Sequence, residues 1–159
     1  QNLPAQIRGI NGDNQVSRGG YILVDSEDPL AIIIATGSEV GLAVDAQQIL
    51  AKKNKAVRVV SMPSTTVFDR QSVDYKKKLF PKGVPVVAVE AGVSDYWRKY
   101  VGLEGEVLGV DRYGESAPAE EVFEDFVESY YLEDLNTYEI LSMLDENDIE
   151  TTLKYSPKP

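Results

Sequence analysis

The run Leu30-Ala31-Ile32-Ile33-Ile34-Ala35 contains no polar residue and so shows no alternation. A strand with one face in water alternates with a period of two, whereas a short β-branched run without alternation belongs to a strand covered on both faces. Covering both faces takes a helix on each side of the sheet, which restricts the chain to the α/β class. Residues 57–61 read as the next strand, stopped by Pro63, and 84–91 and 106–110 repeat the buried-type pattern. An earlier strand, Tyr21-Ile22-Leu23-Val24, follows the Gly19-Gly20 pair and is joined to 30–35 by a short turn of Asp, Ser, Glu, Asp and Pro.

Helical signals fall between these strands. Thr36-Gly37-Ser38-Glu39 has the spacing of a capping box, with Thr36 as cap and Glu39 three residues on. Apolar side chains continue through Leu50, which predicts a helix fading at 52–54. Residues 69–79 predict a modest helix ending in Lys76-Lys77-Lys78, and 95–101 a short aromatic one. Ser116 is placed to cap a helix beginning near Pro118. Thr137 caps 138–144, which sets Ile140, Leu141 and Leu144 on one face. The buried-type strands are each separated by enough chain for a right-handed crossover, so the sheet is expected to be mostly parallel. Residues 1–18 are polar, without a period of two or 3.6, and read as a linker.

Inventory then removes most chemistries. At 159 residues and 43% hydrophobic content the chain suits one domain with a single core. Cysteine and histidine are both absent, which excludes disulfides, zinc clusters, thiol nucleophiles and imidazole acid–base catalysis. The net charge of −10 is uneven: residues 1–112 hold 14 basic and 13 acidic side chains, and 113–159 hold 2 and 13. No Lys or Arg lies between Tyr113 and Leu153, which argues against a nucleic-acid partner there. No run approaches the roughly 18 apolar residues of a membrane span, and the first residues lack the regions of a secretory leader. The expectation is a soluble, cytoplasmic chain with no membrane partner.

Each candidate motif has a structural reading beside its functional one. The Ala35-Thr36-Gly37-Ser38-Glu39 turn sits where α/β proteins bind phosphate at a helix start, but it has no glycine-rich fingerprint and Glu39 would repel an anion. Asn11-Gly12-Asp13-Asn14 partly matches a Gly-Asp-Gly magnesium motif, lacks its second Gly, and reads as a solvated turn. Glu90 ends an apolar strand, a position favoured for functional groups and equally for capping or interdomain hydrogen bonds. Its nearest acidic neighbour in sequence is Asp95, and spacing alone does not make the two an acid–base pair. Tyr96, Trp97 and Tyr100 beside Arg98 and Lys99 have the residue types of a base-stacking platform, yet their helical spacing suits packing. Lys76-Lys77-Lys78 complements a helix end.

Several ordered phrases resemble the last domain of transketolases. They are Gly19-Gly20-Tyr21-Ile22-Leu23, Ala35-Thr36-Gly37-Ser38-Glu39-Val40, Arg58-Val59-Val60-Ser61-Met62-Pro63-Ser64 and Val89-Glu90-Ala91-Gly92. Asp95-Tyr96-Trp97, Lys99-Tyr100-Val101-Gly102 and Tyr113-Gly114-Glu115-Ser116-Ala117-Pro118-Ala119 extend the match, and Gln1-Asn2-Leu3-Pro4 is similar to the family's linker. The resemblance runs from residue 1 to about 126 and implies a three-layer α/β domain at 19–127, with an acidic helix and tail at 128–159. It implies five strands with the first, Tyr21 to Val24, antiparallel and helices on both faces.

For the whole enzyme the resemblance implies transfer of a two-carbon ketol unit between sugar phosphates by thiamine diphosphate and a divalent metal, magnesium or calcium. Those groups are held by the family's other two domains across a homodimer interface, so no catalytic, cofactor-binding or metal-binding residue carries over to this chain. The partners implied are the amino-terminal and middle domains of the same polypeptide and the dimer mate. An autonomous partner-binding or regulatory module, of the kind related thiamine enzymes carry at their ends, is the alternative.

Overall fold

The computed structural model describes residues 15–103 and 105–111. The predicted helices near Pro118 and at 138–144, the Asn11–Asn14 turn, most of the linker and the acidic tail lie outside these residues. Within them the chain runs as a 3-10 turn at Gln15–Arg18, strands β1 (Tyr21–Val24) and β2 (Ala31–Ala35), helix α1 (Glu39–Lys52) and strand β3 (Val57–Ser61). It continues through α2 (Thr65–Asp69), α3 (Val73–Leu79), β4 (Val86–Val89), a 3-10 turn at Ser94–Trp97, α4 (Arg98–Val101) and β5 (Glu106–Leu108).

The strands form one five-stranded sheet in the order β1-β3-β2-β4-β5. β2 is parallel to both β3 and β4, β4 is parallel to β5, and β1 alone runs antiparallel, against β3. The parallel sheet with an antiparallel first strand is therefore as the sequence led us to expect. β1 and β2, joined by a short turn, are nevertheless not neighbours, because β3 lies between them. The turn crosses the start of β3 and is tied to it: Ser26 Oγ donates to the Val57 carbonyl at 2.9 Å and the Leu30 N–H to the Ala56 carbonyl at 2.8 Å. Arg58 on β3 also pairs with Asp25 at 2.8 Å.

The absence of alternation in β2 has a direct structural cause. Ile33 faces α1 and packs with Val40, Ala43, Ala46 and Leu50, whereas Ile32 and Ile34 face the opposite layer, where Phe68, Leu79, Trp97 and Val101 lie. All three isoleucines are 0% exposed. Burying each such side chain contributes on the order of 2 kcal/mol, so both layers hold the same central strand.

Two helical expectations change. The predicted 69–79 helix begins only at Val73, where Ser72 accepts a hydrogen bond from the Tyr75 N–H. A separate short helix, α2, precedes it, capped by Ser64, whose side chain accepts from the Val67 N–H. The 95–101 segment is a 3-10 turn passing into one turn of α-helix at Arg98. The buried strands are shorter than predicted, four residues in β4 and three in β5, since pairing stops where the backbone leaves the sheet.

Entry into the sheet is sterically fixed. Gly19 has φ +81, and a Cβ there would stand 2.3 Å from the Ser64 carbonyl oxygen and 2.4 Å from the Phe68 nitrogen. The Gly19 carbonyl in turn accepts from the Ser64 N–H at 2.9 Å. Gly83 has a similar φ of +85 but open space around it. Gly19→Ala is expected to lower the unfolding free energy in urea by roughly 2 kcal/mol more than Gly83→Ala, because only the first adds a backbone clash to the left-handed strain. Equal losses would show that the contact with α2 relaxes freely.

Candidate functional site

A doubly wound sheet offers its binding crevice at the carboxyl ends of the strands, where the strand order reverses. Here the chain leaves β2 for β3 on one side and places β4 on the other, so the reversal falls between β2 and β4. Their register pairs Ala35 with Val89. The residues that follow, Thr36 to Glu39 after β2 and Glu90 after β4, therefore stand side by side. The sequence singled out both segments but gave no sign that they meet.

The turn after β2 is not the capping box predicted for it. Thr36 provides no side-chain cap; the helix starts at Glu39, whose N–H donates to the Thr36 carbonyl at 3.2 Å. Gly37, at φ +56, makes this backbone turn possible. The Glu39 carboxylate, instead of reaching back to the backbone, accepts from Ser38 Oγ at 2.9 and 3.0 Å and is buried, at 8% exposure. An acidic side chain already occupies the helix start.

Glu90 is half-buried. Its backbone N–H donates to the Leu108 carbonyl and its carbonyl accepts from the Gly92 N–H. Its Oε2 is out of reach of solvent and has no hydrogen-bond partner. Burial first, and the negative charge of Glu39 second, push its carboxyl up from 4.5 to about 7. The group that bears on Glu90 is thus Glu39, and Asp95, its nearest acidic neighbour in sequence, takes no part.

The other candidates resolve as structure. Trp97 is buried, with Tyr96 and Tyr100 each at 5.7 Å between ring centroids, and Tyr100 also faces Phe68. Arg98 donates to the Gly105 carbonyl, and Lys99, which lies over the Tyr100 ring at 5.2 Å from its centroid, is already paired with Asp69 at 2.6 Å. Asp69, which the sequence did not single out, also accepts from the Tyr100 hydroxyl; the Lys99 hydrogen bond is the first cause that holds its carboxyl below the usual range. Lys76, of the lysine cluster, donates to the Asp69 carbonyl and lies over the Phe68 ring.

A divalent metal holding a diphosphate needs several converging oxygen or nitrogen donors. Among the described residues no three Asp, Glu, His or Cys side chains come together in that way. Glu39 and Glu90, side by side at the helix start, would repel a phosphate. The described residues do not fit thiamine diphosphate and its metal. Nor is any described helix long and apolar enough to cross a membrane.

The edge thus defined belongs to an α/β domain that carries two of its own carboxylates, Glu39 and Glu90, at the strand ends where the order reverses. Residues 19–127 match the family described as the transketolase-like TK C-terminal domain, and the chain belongs to that family. It is 51% identical to Transketolase 2 of Vibrio parahaemolyticus over 128 residues, and 52% identical to Transketolase 1 of Escherichia coli K12 over the same length. Each alignment covers 79% of this chain and 19% of the relative, so the chain spans about a fifth of the length of the curated relatives it matches. Among solved structures, a transketolase from Leishmania mexicana superposes with a TM-score of 0.68 at 36% identity, covering 91% of this chain and 20% of that one. One from Campylobacter jejuni gives 0.66 at 29% identity, covering 89% and 20%.

The Glu90 shift fixes the sign of a pH effect. Below 4.5 both folded and unfolded states hold the proton; between 4.5 and about 7 only the folded state does, so stability falls as pH rises and then levels off. Glu90→Gln, which keeps the shape and removes the charge, is expected to stabilise the chain at pH 8 by about 1 kcal/mol after allowance for solvent screening, and not at pH 4. Urea unfolding at the two pH values measures it; an equal effect at both would mean that ionisation is not involved.

Proposed function

We propose that this chain is the carboxyl-terminal part of a transketolase and serves by packing against the rest of that enzyme, with no catalytic, cofactor-binding or metal-binding residue of its own. The observation that carries the reading is the alignment at about half identity with only 19% of full transketolases. In the boundaries we propose, 1–18 is the linker into the domain, 19–127 the domain, and 128–159 an acidic helix and tail. The whole enzyme would be cytoplasmic, act as a homodimer in the pentose phosphate pathway, and move a ketol unit with thiamine diphosphate and a divalent metal held by its other domains. The protein electron sink is then the cofactor, and this domain supplies support.

The geometry favours one face for that packing. β1 is antiparallel, so its first residue, Tyr21, pairs with Ser61 at the carboxyl end of β3. The Gly19-Gly20 entry, the Thr36–Glu39 turn, Met62-Pro63-Ser64 and Glu90-Ala91-Gly92 therefore gather along one edge of the sheet. Four of the phrases in which the chain resembles transketolases run through these segments. Val93 and Tyr96, 60% and 57% exposed, stand in the segment after β4 at that edge. Linker entry and these two exposed apolar side chains share that side, whereas Leu30 and Leu103 are exposed at the amino ends of β2 and β5.

Calorimetric titration of the purified chain with thiamine diphosphate and magnesium, and with xylulose 5-phosphate, tests the reading. No heat beyond dilution is the expected result. Saturable cofactor binding would place a thiamine site within these residues and overturn it.

A further inference from the structure

We propose that Glu90 and Glu39 form a proton-operated catch: with a proton on Glu90 the segment after β4 stays closed on the segment after β5, and loss of that proton releases it. The inference rests on the fold of this domain and not on its packing role in an enzyme.

The two carboxylates come from different elements, and the parallel pairing of Ala35 with Val89 fixes them at adjacent strand ends. Neither can withdraw without cost. Glu39 is buried in the first turn of α1 with its oxygens on Ser38 Oγ, while Glu90 Oε2 is enclosed without a partner. An ionised oxygen in that state has lost water and gained nothing, whereas a neutral carboxyl is tolerated far better. A second negative charge beside Glu39 adds repulsion in the same direction.

No cation offsets this among the charged groups on the surrounding described elements. α1 contributes Glu39; the 3-10 turn contributes Asp95; the segment after β5 contributes Asp111, which is taken up by the Ser94 N–H and hydroxyl at 2.8 and 2.7 Å. Arg98 on α4 is directed to the Gly105 carbonyl. β2 ends in Thr36, which does not titrate.

The Glu90 side chain lies against the latch. Its Cγ lies 3.4 Å, an ordinary contact distance, from the place a Cβ on Gly92 would take. Gly92 is where the two segments join: its carbonyl accepts from the Val110 N–H at 2.8 Å, and its N–H donates to the Glu90 carbonyl at 2.7 Å. Gly109 is pressed against the same carbonyl, with room for no side chain. When Glu90 turns to water, its contact with Gly92 is lost and these hydrogen bonds open first.

The test uses the full 159-residue chain, with carboxyl carbon-13 resonances followed from pH 4 to 9 and amide protection factors measured over the same range. Glu90 is expected to lose its proton near neutrality, with the protection of the Gly92 and Val110 amides falling roughly tenfold across that step. Glu39→Gln should move the Glu90 step to lower pH, and Glu90→Gln should leave protection high and flat throughout. Titration of Glu90 in the ordinary carboxylate range overturns the proposal. So does a step near neutrality that leaves the Gly92 and Val110 amides unchanged, or one that Glu39→Gln does not move.

Discussion

The burial of β2 on both faces governs the rest of the molecule. With Ile32, Ile33 and Ile34 wholly inside, neither face of β2 can carry a polar side chain without leaving it unpaired. Along this strand polar chemistry is left to the ends, and the chain places Thr36, Ser38, Ser64 and Glu90 at the carboxyl ends of the strands. The same closure sets the helix arrangement. One long helix, α1, is enough for the first face, whereas the second is covered in pieces by α2, α3 and the Trp97 turn. Short pieces suit a face whose width changes along the strands, because each contributes one anchor: Phe68, Leu79 or Trp97.

How much of this was legible in the sequence varied with the range of the interaction. The isoleucine run named its own environment, since the absence of polar residues within six positions is a local fact with one structural explanation. Val57 to Ser61 was read to the residue because Pro63 stops it. Local cues failed where two answers were available to the same residues. Thr36 and Glu39 have capping-box spacing, yet Gly37 lets the backbone close the turn by itself and frees Glu39 for Ser38. Thr65, Thr66 and Val67 are poor helix formers, so α2 was hidden, although Ser64 directly after Pro63 was a usable start signal.

The candidate site was legible as parts and not as a whole. Glu90 and the turn at Thr36 were each picked out for their position after an apolar run, but their adjacency depends on β3 and β4 lying on opposite sides of β2. Topology of that kind is a tertiary choice with no signature at either residue. The place of β1 in the order likewise has no local sign: a short turn joins it to β2, and the anchoring of Ser26 and Leu30 on β3 carries the chain across to the far side. The antiparallel direction of β1 followed from resemblance and not from pattern.

The two outer strands carry a further consequence. β1 has four residues and an irregular register between Ile22 and Val24, and β5 has three. An outer strand exposes unpaired backbone groups that invite another sheet to add on, and brevity and irregularity are the usual defences. The longest flat strands are kept inside, and the margins are too short and uneven to template a stranger. If, as we propose, the chain is one part of a larger enzyme, such margins would also guard it, before it has docked, against assembling edge to edge with its own copies.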